Sequence, residues 1–387
     1  MIGITGIGIV SPYGIGKEAF TSGALARSGI NEFNTGHETK RGGFIRDFYP
    51  KHIIPPMKLR KMSRYSQLAL VSAIEAWKDS SIQGYYKTSD IGVIVATGLG
   101  SVSSTDLFYD GLLEKGPDET NPILFPETVQ NIASAHISIE FGLNGPNTTF
   151  SQAGIAGEQA IFYARELLND GLADAVMVTG SDELTEPLFE GMNILRILSK
   201  GSYLRPFDIK RDGILPGEGA CSLILERITD ASKRGAHIYG VLENFGFSTE
   251  AVDRFNYTSA ESMAYAIKDA VRDFSPDLVI ASANSSIELD LKEALAIKET
   301  LGDIVPITSL SSLTGFIMSS GVMKVGSALL FKERSIVPPI WGLEKPEIEG
   351  LGYIFEAREL KLRKILINGF SHGGSNICIL LKGWDEA

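Results

Sequence analysis

Cysteine is scarce in this chain, with only Cys221 and Cys378 among 387 residues. Two cysteines in so long a chain cannot supply the dense disulfide framework that holds small secreted domains together. Both lie in apolar stretches, where a thiol behaves as a small buried hydrophobic group. This cysteine usage predicts a protein of the reducing cytoplasm.

Long hydrophobic runs and an excess of positive charge are also missing. No run of about 18 or more apolar residues occurs, so no membrane span is expected. The apolar N-terminus has no positively charged start and is interrupted by Pro12, which argues against a signal peptide. The formal net charge is −11, whereas nucleic-acid binding needs clustered Lys and Arg to neutralise phosphates. We therefore expect neither a membrane nor a nucleic-acid partner.

Motifs for nucleotides and metals are absent as well. Gly6 and Gly8 begin a dinucleotide-like pattern, but Ser11 stands where its third glycine belongs. No Walker A, CxxC, HExxH or GxSxG motif occurs, and dispersed histidines are a poor metal site. The histidines are His37, His52, His136, His237 and His372. The sequence predicts no metal and no bound cofactor.

Short apolar runs alternate with amphipathic stretches along the whole chain. The predicted strands are 1–10, 91–97, 175–179, 241–245, 278–282, 364–367 and 377–381, and the predicted helices include 66–78, 158–168 and 322–331. This alternation is typical of α/β layers, in which helices cover buried sheets. A polar helix end before the strand at 241 suggests two halves, 1–238 and 239–387.

Several sequence blocks together carry a specific resemblance. They are GPNTTFSQAGIAGEQA from Gly145, LRPFDIKRDGILPGEGA from Leu204, SANSSIELDLKEALAI from Ser282, SSLTGFIMSSG from Ser311 and NGFSHGGSN from Asn368. In this order they resemble the blocks of the β-ketoacyl-[acyl carrier protein] synthases, or ketosynthases. The resemblance extends over nearly the whole chain. It implies a thiolase-like fold of two pseudo-duplicated α-β-α halves, stacked as an α-β-α-β-α sandwich.

Four positions depart from the ketosynthase pattern. Gly154 stands in the place of the nucleophilic cysteine, Ser282 and Phe316 replace two histidines, and Ser311 replaces a lysine. In the family the thiolate holds the acyl chain, and the imidazoles stabilise the oxyanion that forms when malonyl thioester loses carbon dioxide. Glycine and phenylalanine offer neither group. The resemblance therefore predicts a chain that is no enzyme on its own.

This combination resembles the chain-length factor, or KSβ, of type II polyketide synthases. That family keeps the ketosynthase fold, lacks the nucleophile and forms a heterodimer with an active ketosynthase subunit, KSα. Its members commonly have Gln-Ala-Gly at the lost cysteine, and Gln152 begins that tripeptide here. Gln152 is therefore a candidate plug of the vestigial pocket, the alternative being an outward-facing turn residue.

The resemblance also assigns a chain-length gate and a docking surface. The gate candidates lie in a segment that in the family reaches toward the partner's acyl tunnel; the alternative is ordinary interface packing. They are Phe125, Thr128, Val129 and Gln130, and we call residues 125–130 the gate segment. The docking candidates for an acidic acyl carrier protein are Lys58, Arg60, Lys61 and Arg64, the alternative being a solvated helix-capping segment. We call residues 51–64 the basic segment.

The implied function is a non-catalytic chain-length factor that shapes the acyl tunnel of a KSα heterodimer, for the synthesis of an aromatic polyketide. The only prosthetic group is the phosphopantetheine arm that the carrier protein brings. Two alternatives remain open: an enzyme that only decarboxylates, and a homodimeric acyl-binding scaffold. His136 and His372 are interpreted as structural, although His372 stands where the family often has a gating phenylalanine.

Overall fold

The computed structural model describes residues 1–34, 39–152 and 154–384. His37 and the Ala153 of the Gln-Ala-Gly tripeptide lie outside the described residues. No helix in the described part is both long enough and apolar enough to cross a membrane.

Sixteen strands are described. They are β1 (Ile2–Ser11), β2 (Gly14–Ile15), β3 (Asn31–Asn34), β4 (Thr39–Gly42), β5 (Ile91–Thr97), β6 (Asn147–Ser151), β7 (Ala175–Asp182), β8 (Gly219–Arg227), β9 (Gly240–Thr249), β10 (Leu278–Ala281), β11 (Pro306–Ser309), β12 (Ile336–Val337), β13 (Gly352–Tyr353), β14 (Arg358–Glu359), β15 (Lys364–Phe370) and β16 (Ser375–Gly383).

Twelve α-helices accompany them. They are α1 (Lys17–Ala26), α2 (Pro56–Leu59), α3 (Arg64–Ser80), α4 (Val102–Lys115), α5 (Ile132–Phe141), α6 (Ala156–Asn169), α7 (Glu186–Ile194), α8 (Ile228–Lys233), α9 (Ala260–Val271), α10 (Ile287–Leu301), α11 (Ser311–Thr314) and α12 (Gly321–Arg334). Short 3₁₀ helices occupy Pro50–His52, Thr88–Asp90 and Phe125–Thr128. Each predicted strand and each of the three predicted helices coincides with one of these elements, which confirms the α/β alternation.

The main sheet has twelve strands in the order β13-β11-β10-β15-β16-β9-β1-β8-β7-β5-β6, with β2 beside β1. Strands β5, β6 and β7 run parallel, and so do β10, β11 and β15. The two parallel groups are joined through the antiparallel strands β8, β1, β9 and β16. Each half of the chain therefore supplies one parallel group, and β6 forms one end of the sheet.

Helices cover the sheet in layers. Helix α3 packs on β1, β7 and β8, and α9 packs on β9, β15 and β16. Helices α6 and α12 contact each other, and α12 also contacts strands of both halves. Residues 321–331 of α12 are buried on every side, because this helix lies between two regions of the sheet. This is the predicted α-β-α-β-α stack of a thiolase-like fold. The boundary between residues 238 and 239 stays a prediction, since β9 and β1 are hydrogen-bonded neighbours.

Candidate functional site

The turn between β6 and α6 holds Gly154 in a conformation that favours glycine. Its φ is +100°, a region that L-residues with a side chain rarely adopt. The N–H of Gly154 donates to the carbonyl of Met318 at 2.9 Å. This amide, which the family pattern would aim at a substrate oxyanion, is therefore occupied within the protein.

The structure brings the four departing positions together. Gly154, Ser282, Ser311 and Phe316 all line one small cavity. Ser282 follows β10, Ser311 follows β11, and the chain after β15 reaches the same cavity. Parallel strands end at the same edge of a sheet, which is why residues far apart in sequence meet here. The sequence pattern thus located a single site in the fold.

The two serines at departing positions, Ser282 and Ser311, are held by hydrogen bonds. Ser282 Oγ accepts from the backbone N–H of Phe370 at 3.2 Å, and its own N–H donates to Glu293 Oε1 at 2.9 Å. Ser311 Oγ donates to the carbonyl of Ala283 at 2.5 Å. The Ser282 hydroxyl therefore links the segment after β10 to the end of β15. The Ser311 hydroxyl links the start of α11 to the same segment after β10.

A buried charge cluster lies beside the cavity. Lys324, on α12, lines the cavity; its ammonium donates to the carbonyl of Asn368 at 2.5 Å and lies 2.6 Å from Glu158 Oε1. Glu293 Oε1 accepts from Asn368 Nδ2 at 2.8 Å, and burial raises the pKa of Glu293 to about 7. Burial likewise raises the pKa of Asp290 to about 6.

Sequence analysis missed Lys324 and Glu158. A signal was present for Lys324, which stands between apolar residues of α12, because a buried charge requires a partner. Which partner it finds depends on the packing of α6 against α12. The cavity therefore contains one cation although Ser311 replaces the lysine of the family pattern.

Phe316 and His372 lie between this cavity and a larger open groove, since both residues line both spaces. The groove has about 1510 Å³ of empty volume including open solvent. Its walls carry exposed apolar side chains, among them Leu195, Phe255 and Ile287. Burial lowers the pKa of His372, whose ring lies 5.7 Å from that of Tyr257. The groove has the apolar, concave character of a ligand site.

Gln152 does not line the cavity. Its Oε1 accepts a hydrogen bond from Gln159 Nε2 at 2.8 Å, and Gln159 lines a separate groove with Phe150 and Phe162. The Gln152 side chain follows the end of β6 and reaches along α6 in this structure. Its role as a plug of the vestigial pocket stays a prediction.

The gate candidates lie at the protein surface. The side chains of Phe125 and Val129 are 58% and 43% exposed, Gln130 is exposed and Thr128 is half-buried. The Phe125 ring lies 5.6 Å from that of Phe108 on α4. Their role as a gate stays a prediction.

The docking candidates divide into two groups. Arg60 and Lys61 are exposed, while Lys58 lies 2.6 Å from Glu140 on α5. Arg64 instead bonds Glu218 Oε1 and Oε2 at 2.6 and 2.7 Å. Arg64 therefore has a structural role, because the fully buried Glu218 needs a cation. Its assignment to docking stays a prediction.

The remaining candidate groups do not line the cavity. Cys221 and Cys378 are buried in β8 and β16, and burial raises the pKa of both thiols. His136 lies on α5. Among the described residues, no group of three or more His, Cys, Asp or Glu side chains is placed to hold a metal ion.

Comparisons with known proteins agree with this geometry. The family model described as "Beta-ketoacyl synthase, N-terminal domain" matches residues 1–231. The 3-oxoacyl-[acyl-carrier-protein] synthase 2 of Coxiella burnetii is 32% identical over 98% of this chain and 97% of its own. A beta-ketoacyl synthase from Burkholderia phymatum has a TM-score of 0.90 at 26% identity, and the ishigamide ketosynthase/chain length factor has 0.92 at 25%. Each alignment covers 99% of both chains.

These comparisons correct one prediction. We expected no enzyme on its own because Gly154, Ser282 and Phe316 lack the thiol and the imidazoles. That prediction is contradicted by the curated relatives, which are named as synthases over nearly the whole chain. The residues at the four departing positions determine which chemical groups line the cavity. They do not by themselves determine whether the protein takes part in condensation.

Other expectations are confirmed. The cofactor prediction agrees with the family, whose condensing enzymes use only the phosphopantetheine arm of their carrier-bound substrate. The thiolase-like fold is confirmed by the layers and by the solved structures. With a family model matching residues 1–231 and a relative 32% identical over 98% of the chain, this chain belongs to the beta-ketoacyl synthase family.

Proposed function

We propose that this chain and a cysteine-bearing ketosynthase subunit, KSα, together form a condensing enzyme. In this pair the chain acts as a chain-length factor: it shapes the acyl tunnel and so sets the number of extension cycles. The acyl chains are elongated as thioesters of an acyl carrier protein, and the product is a poly-β-ketone destined for an aromatic compound.

The observation that carries this proposal is an exposed apolar face around the gate segment. Leu107 and Leu113 on α4, Phe125 and Val129 in the gate segment, and Ile139 on α5 are all exposed. Several exposed apolar side chains on neighbouring elements are typical of a protein-protein interface. A partner that covers this face would bury Phe125 beside its own acyl channel.

The sheet offers a second contact for a partner of the same fold. Strand β6 is the last strand in the order, with β5 as its neighbour, and its residues Asn147 and Ser151 are exposed. An edge strand readily adds a strand from another chain. A homologous subunit would place its own β6 there, which favours a ketosynthase over an unrelated partner.

The basic segment supplies the carrier-protein surface in this proposal. Arg60 and Lys61 are exposed beside Met57, which is also exposed. Charges around an apolar residue suit an acidic partner, because electrostatic attraction speeds encounter while apolar contact adds affinity. The carrier protein therefore docks, in this proposal, next to the gate segment.

Co-expression with a cysteine-bearing ketosynthase and its carrier protein tests the proposal. We expect a stable 1:1 complex that releases a poly-β-ketone of one dominant length. A homodimer that releases carbon dioxide from malonyl carrier protein would replace the proposal with a decarboxylase. A homodimer that binds acyl chains without turnover would replace it with a scaffold. Condensation by the purified chain alone would show that no KSα is required.

A further inference from the structure

The gate segment contains one residue that does not face solvent. Glu127 lies inside the 3₁₀ helix Phe125–Thr128, and only 3% of its surface is exposed, although Phe125 and Val129 on either side are exposed. A carboxylate is rarely buried unless several hydrogen bonds satisfy it. Its partners therefore show what fixes this segment to the body of the protein.

Glu127 accepts hydrogen bonds from two neighbouring elements. Its Oε2 accepts from the backbone N–H of Ser63 at 2.9 Å and from Ser66 Oγ at 2.8 Å. Its Oε1 lies 2.6 Å from His136 Nε2 on α5. The pKa of Glu127 is below its usual value, because these hydrogen bonds outweigh the opposing effect of burial.

The carboxylate meets the positive end of a helix. Ser63 is the N-cap of α3, and its Oγ accepts from the N–H of Ser66. A negative charge at a helix N-terminus is stabilised by the unpaired N–H groups and the helix dipole. Tyr65, in the same first turn, donates through its hydroxyl to the carbonyl of Gln130 at 3.0 Å. Thus the first turn of α3 holds the gate segment at two points.

The same turn continues the basic segment. Lys61 is two residues from Ser63, and Lys58 is paired with Glu140 on α5, the helix that also carries His136. The basic segment and the gate segment are therefore attached to the same two helices, α3 and α5. A carrier protein bound at Lys61 would contact the residues immediately before the first turn of α3, which holds Glu127.

We propose that Glu127 is a positioning residue for chain-length selection: it holds the gate segment on the first turn of α3, so that Phe125 and Val129 present a fixed surface to the partner's tunnel. The proposal rests on the proposed function of the gate segment. In it, Glu127 does not touch the acyl chain. It limits how far the exposed gate side chains move when a growing chain presses on them.

The variants Glu127→Ala and Glu127→Gln test this role, with Glu226→Ala as the matched control. Glu226 is also fully buried and accepts from Arg234 and Tyr86, but it lies on β8. Hydrogen exchange of peptide 123–131 is measured in the purified chain, and product masses are measured in the complex with KSα and carrier protein.

We expect exchange in 123–131 to become about tenfold faster or more in Glu127→Ala, since buried hydrogen bonds to a charged group are lost. Glu127→Gln should show a smaller increase, because its amide oxygen still accepts from Ser63. Products should become longer and more heterogeneous, as with Phe125→Ala. Glu226→Ala should change neither readout even where it lowers the melting temperature.

Unchanged hydrogen exchange in both Glu127 variants would overturn the proposal, whether or not the gate variants change product length. Faster exchange with wild-type products would also overturn it, provided that Phe125→Ala alters them. If Phe125→Ala and the alanine variants of Thr128, Val129 and Gln130 all leave product length unaltered, the gate assignment fails and the positioning role fails with it. The exchange measurement distinguishes failure of the gate assignment from failure of the Glu127 contact, because it reports directly on the contact between Glu127 and the first turn of α3.

Discussion

Ser371 packs so closely on Gly154 that a Cβ added at Gly154 would lie 3.3 Å from the Cα, Cβ and Oγ of Ser371. Any side chain at this position meets that contact and also a φ of +100°. The turn before α6 is therefore shaped for glycine. A cysteine could be accommodated only after the loop that follows β15 had moved.

The variant Gly154→Ala should lower the free energy of unfolding by about 2–4 kcal/mol, because backbone strain and a steric contact add. Urea unfolding measures the loss. Gly16→Ala is the matched control, since Gly16 has a φ of +98° with nothing within 4 Å of an added Cβ. It should cost only the strain, about 1–2 kcal/mol. Equal losses, or no recovery in Gly154→Ala/Ser371→Gly, would contradict this packing.

Arg64 should matter for stability more than for docking. Its side chain is 28% exposed, whereas that of Glu218 is 0% exposed, so Arg64→Ala leaves a buried carboxylate without its cation. We expect a loss of about 3 kcal/mol in the free energy of unfolding, measured by urea titration. The exposed neighbour Arg60 serves as control, and Arg60→Ala should change stability by about 0.5 kcal/mol or less. Similar losses for the two variants would refute a structural role for Arg64.

Reversal of charge at Arg60 and Lys61 should weaken carrier binding. The double variant to glutamate should raise the Kd of the carrier protein roughly tenfold at low salt, and the difference should shrink near 0.5 M salt because the attraction is screened. Calorimetry on the KSα complex measures the Kd. Reversal of two exposed lysines on other elements, Lys87 and Lys233, controls for net charge. Carrier binding equal to that of this control would refute docking at the basic segment.

Truncation of the gate side chains should lengthen the product. Phe125→Ala removes an exposed ring beside the partner's tunnel, so at least one further extender unit should be added in a substantial share of the product. Thr128→Ala, Val129→Ala and Gln130→Ala should have smaller effects, because less volume is removed. Mass spectrometry of products from the complex reports chain length, and Ile304→Ala, an exposed residue of the other half, is the control. Unchanged products in all four variants would end the gate assignment.

Glu293 should make stability fall as the pH rises. Its ordinary pKa is 4.5, and burial raises it to about 7 in the folded chain. Between these values the folded state binds a proton that the unfolded state has lost, so its contribution is full below pH 4.5 and is lost by about pH 7. The loss amounts to roughly 3 kcal/mol. Denaturant titrations at several pH values compare wild type with Glu293→Gln.

The difference between the two proteins isolates Glu293, because Asp290 and the other carboxylates are present in both. Relative to wild type, Glu293→Gln should become more stable as the pH rises from 4.5 to 7. Parallel stability curves would show that Glu293 has an ordinary pKa, and any constant offset between them would measure the hydrogen bonds with Ser282 and Asn368 that the substitution weakens.

The elements were predictable from sequence, because they depend on local periodicity, whereas the thiolase-like fold was implied by the resemblance of the sequence blocks to the ketosynthases. Strand β5 and residues 365–367 of β15 are apolar runs, as expected of strands covered on both faces. The helices α3 and α6 repeat apolar residues at helical spacing. Ordered sequence blocks also located Gly154, Ser282, Ser311 and Phe316, which the structure places around one cavity.

Side-chain partners were not predictable, since they depend on which elements meet. Gln152 forms a hydrogen bond with Gln159 and does not line the cavity, and Arg64 forms an ion pair with Glu218. Lys324 and Glu158 find each other only because α6 and α12 pack together. The sequence by itself determined the layered fold and the identity of the residues at the cavity. Tertiary structure alone decided which charges are paired and which remain on the surface, because burial and distance, rather than spacing along the chain, set their energies.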